Sequence, residues 1–341
     1  MANIKLTNNT RQSNFELLRI LCALFIIAGH IIMIHDIGAT MSSSWIISHG
    51  LRPLFMCAVN TFVLISGYFG IQLKAKKMWQ MNDMVTFYSI FLFAVACVWG
   101  GHILNLKKDI LFFAPVLTKQ YWFITVYFAL CFLSPVLNLI VEKAEKSFLK
   151  HTIWTGICLF VGVPTLGYLL NFGAIAEDAG YGIVNFSLLY MIGRYIKLYN
   201  PFEKYKSRNF LLLFFCANII CGLFQIFYSY LLGFSFSSFI SYNTLFVFFA
   251  SIALFGYFQK LNIPSNSTIN WLSSFCLCSY VIHLHPYIFK WMLGSVLNVP
   301  NLQGLYYLCS IFLFPIGIYL VCVIIESIRR FIFKFIPYYK A

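Results

Sequence analysis

Negative charge is what this sequence has least of. Among 341 residues there are ten Asp and Glu against 24 Lys and Arg, and charged residues make up only 10% of the chain. A soluble protein carries about 25%. With 61% of its residues hydrophobic, the chain is excluded as a soluble globular domain, and nearly all of it is expected in a membrane. The few carboxylates, among them Asp36, Asp83 and Glu326, fall almost wholly in loops or at the ends of apolar runs. Proton-driven transporters draw on a carboxylate at membrane depth, so simple proton coupling is disfavoured. Also missing are a P-loop, a Gly-x-Ser-x-Gly elbow, a His-Glu-x-x-His zinc spacing and any Cys-x-x-Cys. The eleven cysteines fall singly inside apolar runs, as Cys22, Cys57, Cys97, Cys131 and Cys158 do, and Cys276-Leu277-Cys278 is the close pair. They read as small packing residues, and no metal is expected. The polar N-terminus lacks a short apolar core ahead of a small-residue cleavage site. The first apolar run is therefore expected to stay as an anchor.

What is present is apolar sequence in runs of span length. A membrane helix needs roughly 20 apolar residues. Such runs stand near 15–35, 46–71, 84–104, 121–141, 150–170, 183–199, 209–232, 237–259, 270–291 and 304–328. The expected fold is an all-α integral-membrane bundle of about ten transmembrane helices. Residues 105–119 are too short to span and are expected at the interface or as a re-entrant stretch. Ten spans put both termini on one side, and charge names the side. Lys5 and Arg11 precede the first span, Lys74, Lys76 and Lys77 follow the second, and Lys143, Lys146 and Lys150 follow the fourth. Lys204, Lys206 and Arg208 follow the sixth, and Arg329, Arg330, Lys334 and Lys340 close the chain. The opposite connections hold mainly Lys107, Lys108 and Lys119, with the acidic pair Glu177-Asp178. Basic connections stay cytoplasmic, so both termini are expected there. The net charge of +14 then reflects this bias rather than a nucleic-acid partner. One membrane domain over 1–341 is expected, with cytoplasmic tails at 1–14 and 329–341 and no linker or repeat.

The first span, FELLRILCALFIIAGHI at 15–31, keeps Arg19 and His30 where leucine would serve packing as well. Eleven helical steps of about 100° return to within about 20° of the starting direction and rise about 16.5 Å. The two residues thus share one stripe. With the N-terminus inside, Arg19 sits near the cytoplasmic headgroups and His30 at or beyond the bilayer centre. Glu16 stands one turn before Arg19, at the spacing where helix side chains meet, and can hold its guanidinium. Ionisable groups at membrane depth are costly and usually line a pathway or site. His30 is suited to take and return a proton near neutral pH, and Arg19 to grip phosphate with its planar fork of donors. In the second span, Ser66-Gly67-Tyr68 arrives at the level of Arg19. The glycine permits close backbone approach, and the serine offers a hydroxyl to a phosphate or carbonyl. His283 lies about 20 Å along the ninth span by helical rise, a depth comparable with His30. His285 stands slightly further out. Both histidines could mark an outer helix end; at an acceptor site, one would hold a sugar hydroxyl or tune His30. Trp122 and Tyr121 open the fourth span at the outer face, where an interfacial aromatic belt is the alternative.

Arg19-x10-His30 resembles the signature of the membrane acyltransferase-3 family, whose members O-acylate sugars and lipids. NTFVLISGYF (60–69) is similar to its second motif, an aromatic followed by Ser-Gly-aromatic. YWFITVYFALCFLSPVLN (121–138) resembles the Trp-bearing fourth-span segment of bacterial members, and SYVIHLHPY (279–287) the Ser-Tyr and late-histidine segment. Two features depart from the pattern. Where many relatives carry an arginine-rich stretch after the second motif, this chain has KAKKMWQMNDMV. The extracellular hydrolase-like domain that many append is not seen either. The resemblance implies a multi-pass O-acyltransferase of the bacterial cytoplasmic membrane. It would move an acetyl group from cytoplasmic acetyl-CoA to a sugar hydroxyl of a surface polysaccharide or its lipid-linked precursor. The same resemblance implies His30 as the catalytic base and Arg19, Ser66, Gly67 and Tyr68 as the floor for the donor. Glu16, Trp122, His283 and His285 would be acceptor-side or supporting residues. The partners so implied are membrane lipid and a glycan or lipid-linked sugar. The rival is a glycan polymerase or a lipid-linked sugar flippase, which shares many spans and basic loops. A flippase should show arginines and carboxylates along a central cavity, and a polymerase a large outer loop; neither is evident.

Overall fold

The computed structural model describes residues 11–35, 41–99, 105–170, 172, 178–233 and 238–334, without the side chains of 106 and 107. Lys5, Asp36, Glu177 and Lys340 lie outside the described residues, as do most of the two expected tails and the end of the third expected span.

Away from water the backbone must satisfy its own hydrogen bonds, which favours helix in every apolar run. Among the described residues there is no strand. Helices α1 (Ser13–Ile34), α2 (Ser43–Phe69), α3 (Ala75–Trp99), α4 (Trp122–Lys143) and α5 (Lys146–Leu170) occupy the first five expected spans. They are followed by α6 (Ile183–Tyr199), α7 (Ser207–Leu232) and α8 (Leu245–Lys260), the last preceded by a 3-10 turn at Ser238–Ile240. Between α3 and α4, the stretch expected not to span forms one helical turn at Leu106–Asp109 and a 3-10 turn at Ile110–Phe113.

The span expected at 270–291 is broken. It divides into α9 (Ser267–Ser273), α10 (Cys276–His283) and α11 (Pro286–Lys290), which a π-turn at Trp291–Val296 continues. The halves on either side of His285 are bent by 81°. His285 takes an extended backbone (φ −56°, ψ 125°), which a residue before proline prefers, and Pro286 has no N–H to continue the ladder. The long α12 (Gly304–Phe333) completes the bundle. Among the described residues, eight helices are long and apolar enough to cross a membrane, or nine if the bent pair counts as one span. The sixth expected span, α6, has 17 residues and falls just short of that length.

Helix α2 is the hub, packed against α1, α6, α7 and α8. Its contact with α6 is backbone to backbone. A Cβ placed on Gly67 would come 2.8 Å from Tyr190 Cα, and one on Gly193 would come 2.7 Å from Tyr68 N. Small residues at such crossings let membrane helices approach closely, where packing rather than water supplies the attraction. Helix α1 lies between two cores. Phe15, Leu18 and Cys22 pack with Leu64, Tyr190 and Phe255, whereas Ala23, Ile27 and Ile31 pack with Val281, Tyr307 and Tyr319.

The N-terminal end of α1 is stitched to α8 and α9. Ser13 Oγ donates to Asn270 Oδ1 (3.0 Å) and accepts from the Asn266 N–H (2.8 Å), and Asn14 Nδ2 donates to Phe258 O (2.9 Å). Arg11 Nη1 donates to Asn270 O (2.7 Å). Basic side chains gather at this end: Lys197 lies over the Tyr68 ring, Lys146 over Tyr199, and Arg330 bonds Ser274. Glu326, expected at a span end, instead lies inside α12, which runs on to Phe333. It accepts hydrogen bonds from Tyr88 (2.6 Å), Arg329 (2.7 Å) and Arg330 (2.8 Å). A buried carboxylate so fully paired reads as a structural lock between α3 and α12.

Candidate active site

Two cavities in the bundle meet beside α1. The larger, about 370 Å³, follows the Arg19 stripe. Arg11, Glu16, Arg19, Ser66 and Ser273 supply its polar wall, Ala23, Ile26, Phe62 and Phe123 its apolar wall, and His283 also lines it. The smaller, about 70 Å³, is lined by His30, Arg52, Trp122, Tyr181 and Tyr242. Ile26 and Tyr280 line both.

A histidine pair stands where they meet. His30 Nδ1 lies 3.1 Å from His283 Nε2, and His283 Nδ1 lies 2.5 Å from Ser279 O. The second contact fixes the protons. A carbonyl only accepts, so His283 Nδ1 carries a hydrogen, and in a neutral ring Nε2 is then a bare acceptor. His30 must therefore donate from Nδ1, which leaves its Nε2 as a lone pair on the ring that lines the smaller cavity. The Phe289 ring also packs edge-on with the His30 ring, with centroids 5.9 Å apart. The arrangement is that of a general base whose tautomer is set by a second residue and whose cation would be stabilised by the same contact.

Arg19 is held by two neighbours. Its Nη1 pairs with Glu16 Oε1, and the Phe69 ring lies 5.7 Å from the guanidinium carbon. Glu16, itself buried, accepts at its other oxygen from Ser273 Oγ (2.5 Å). The Arg19 side chain keeps 29% of its surface exposed, so N–H groups remain to meet an anion in the larger cavity. Ser66 lines the same cavity; its Oγ donates to Phe62 O (3.0 Å) and lies 3.3 Å from Tyr127 OH.

The structure thus gathers Glu16, Arg19, Ser66 and His283 around one cavity, and His30 and Trp122 around the other. Trp122 stacks on Tyr242 (5.7 Å) and touches Tyr181 (4.5 Å). Gly67, Tyr68 and His285 line neither cavity. The close approach at Gly67 is to α6. Tyr68 is buried between Phe15 and Phe255, and His285 Nε2 bonds Ser89 O (3.2 Å) with its ring stacked on Phe112. Sequence reasoning missed Arg11 and Ser273 in the larger cavity, Arg52 in the smaller, and Tyr280 in both. Arg52 carried a usable signal, a charge within a span. Among the described residues, no group of three His, Cys, Asp or Glu is arranged to hold a metal ion.

A family model described as an acyltransferase domain matches residues 12–326, nearly the whole chain. No curated protein and no solved structure matches.

Proposed function

The chain belongs to the acyltransferase-3 family and is a membrane acyltransferase, and we propose that it moves an acetyl group from cytoplasmic acetyl-CoA to a sugar hydroxyl of a surface polysaccharide or its lipid-linked precursor. The observation that carries this reading is the His30–His283 contact of 3.1 Å between two cavities. An acyl donor and an acceptor can then approach one base from different sides.

The larger cavity suits the donor. Its volume of about 370 Å³ lies within the range of roughly 300–1,000 Å³ typical of small-molecule sites. Arg11 and Arg19 offer cations near the α1 terminus, the middle of the cavity is apolar, and His283 lines it deeper in the bundle. That order matches a ligand with phosphates at one end and a thioester at the other. Arg11 also supplies a second cation where KAKKMWQMNDMV has no arginine. The basic end of the bundle, with both termini, would face the cytoplasm, and the acceptor would enter past Trp122 from the outer face of the bacterial cytoplasmic membrane.

In this scheme His30 Nε2 takes the proton of the acceptor hydroxyl as its oxygen attacks the thioester carbon. The Nδ1–H of His30, held by His283, keeps the ring in the tautomer that can do so and stabilises the imidazolium. The C–S bond then breaks, and the departing thiolate takes the proton from His30, so ester and thiol leave and the base is restored. Positioning of the two substrates in a water-poor site supplies much of the rate. Two measurements test the reading. Surface glycan from cells with wild-type protein should carry acetyl groups that vanish with His30→Ala, whereas purified His30→Ala should still bind CoA. Glycan acetylation that survives in His30→Ala would end the proposed chemistry.

A further inference from the structure

One cation of the bundle has no part in the chemistry above. Arg52 projects from α2, about 13.5 Å along it from Ser43 by helical rise. Arg19, Arg194, Arg329 and Arg330 each pair with a glutamate. Among the described residues no carboxylate and no hydrogen bond satisfies the Arg52 guanidinium. It lines the smaller cavity beside His30, and Tyr181, Tyr242 and Tyr307 lie within its electrostatic reach. An unpaired charge within a membrane bundle is costly and marks a pathway or a binding site. The planar fork of a guanidinium matches a carboxylate or a phosphate, which it can hold by two parallel bonds.

Size narrows the occupant. A cavity of about 70 Å³ has room for about two waters at roughly 30 Å³ each. It can admit a carboxylate or phosphate edge and a hydroxyl, but not a sugar ring. Met33 and Tyr181 are exposed members of its lining and mark its rim, where Tyr181 packs against Trp122 (4.5 Å) and Tyr242 (4.8 Å). A ring would rest on this rim and send only its substituents inward.

We infer that the acceptor is anionic: a carboxylate or phosphate on, or next to, the acylated sugar seats on Arg52 and thereby presents a neighbouring hydroxyl to His30. This rests on the smaller cavity being the acceptor side, as proposed above. Arg52 is then a specificity residue, since a neutral sugar would leave its charge unpaired in the closed site.

Calorimetric binding to purified protein without acyl donor tests this, because no transfer is needed. Three probes are used: a glucuronic acid oligomer, a hexose phosphate and a neutral glucose oligomer. One anionic probe should bind roughly tenfold or more tightly than the neutral one, the worth of a charge-assisted hydrogen bond. The winner separates an acidic sugar from a phosphate-bearing acceptor. Arg52→Gln should bring that probe to the level of the neutral one, Arg52→Lys should keep part of the preference, and CoA affinity should stay unchanged in both. Equal or absent binding of the anionic probes by wild type overturns the inference. So does a preference that survives Arg52→Gln, or a loss of CoA affinity in its place. Failure of the acetyl-transfer reading would appear elsewhere, as thioester that no acceptor consumes.

Discussion

Replacing His283 separates a base from the residue that orients it. His283 Nε2 accepts from His30 Nδ1 at 3.1 Å, and nothing else in the pair fixes the His30 tautomer. In the ground state that contact is a neutral hydrogen bond, worth about 0.5–1.5 kcal/mol; once His30 holds a second proton it becomes a bond from a charged donor, worth about 1.5–3 kcal/mol. The difference, about 1–2 kcal/mol, is what the contact adds in the transition state, and it corresponds to about 5- to 30-fold in kcat. His283→Leu should lose that much. His283→Gln, whose amide oxygen can still accept from Nδ1, should lose less. Neither should approach His30→Ala, where removal of a general base costs roughly 10²–10⁴ in rate. The assay is single-turnover acyl transfer by protein in lipid nanodiscs, with CoA affinity measured beside it. Wild-type kcat in His283→Leu would refute the orienting role. A loss as complete as that of His30→Ala would mean that His283 is itself the base.

Three further outcomes follow from the same geometry. Arg19→Lys keeps the charge but not the fork, so the acyl-donor KM should rise roughly tenfold, for one charge-assisted bond of about 1.5 kcal/mol, with a smaller change in kcat; an unchanged KM would remove Arg19 from the donor site. Gly193→Ala drives a Cβ to 2.7 Å from Tyr68 N and should lower stability by about 1–3 kcal/mol, read as the thermal midpoint in detergent, whereas Gly317→Ala meets nothing within 4 Å and should lose none. Cysteines introduced at Lys76, Lys146 and Lys206 in a cysteine-free background should be shielded from an impermeant thiol reagent in intact cells, and one at Asp178 should react; the reverse pattern would turn the donor cavity to the outer face.

Helix positions were legible where one element carries the information. Arg19 and His30 share a stripe because both sit on α1, and helical arithmetic alone aligns them. The depth of His283 was likewise readable from its distance along an apolar run, and the structure brings it to His30. What the run concealed was its break: residues 276–296 are mostly apolar, and Pro286 is the signal of the 81° bend. Gly67 exposes a different limit. A glycine announces close approach but not what approaches, and here Tyr190 of α6 does so. Tyr68 and His285 were read from their neighbours in sequence, yet each is occupied by packing partners from helices far along the chain. Arg52 went unread because no carboxylate stands at helical spacing to pair with it (Ser48, His49, Phe55 and Met56 do), unlike Arg19 with Glu16. Its setting is made by Trp122, Tyr181 and Tyr242, which only the folded bundle assembles.

The contact from His283 Nδ1 to Ser279 O reaches the carbonyl four residues earlier on the same helix. Many catalytic histidines are oriented by a carboxylate, which on protonation turns one oxygen into a donor and loses its charge. A peptide carbonyl has no such second state. The instruction that sets both rings is therefore written in main chain, one turn of α10, and does not depend on which side chain stands at 279. Ser279→Ala should leave it intact. It also persists in an acidic medium that would protonate an aspartate in the same place, so acid can disturb this orientation only by protonating the histidines themselves. The pair thus keeps its orientation as the medium acidifies, because the group that turns His283 is a peptide carbonyl and not a carboxylate.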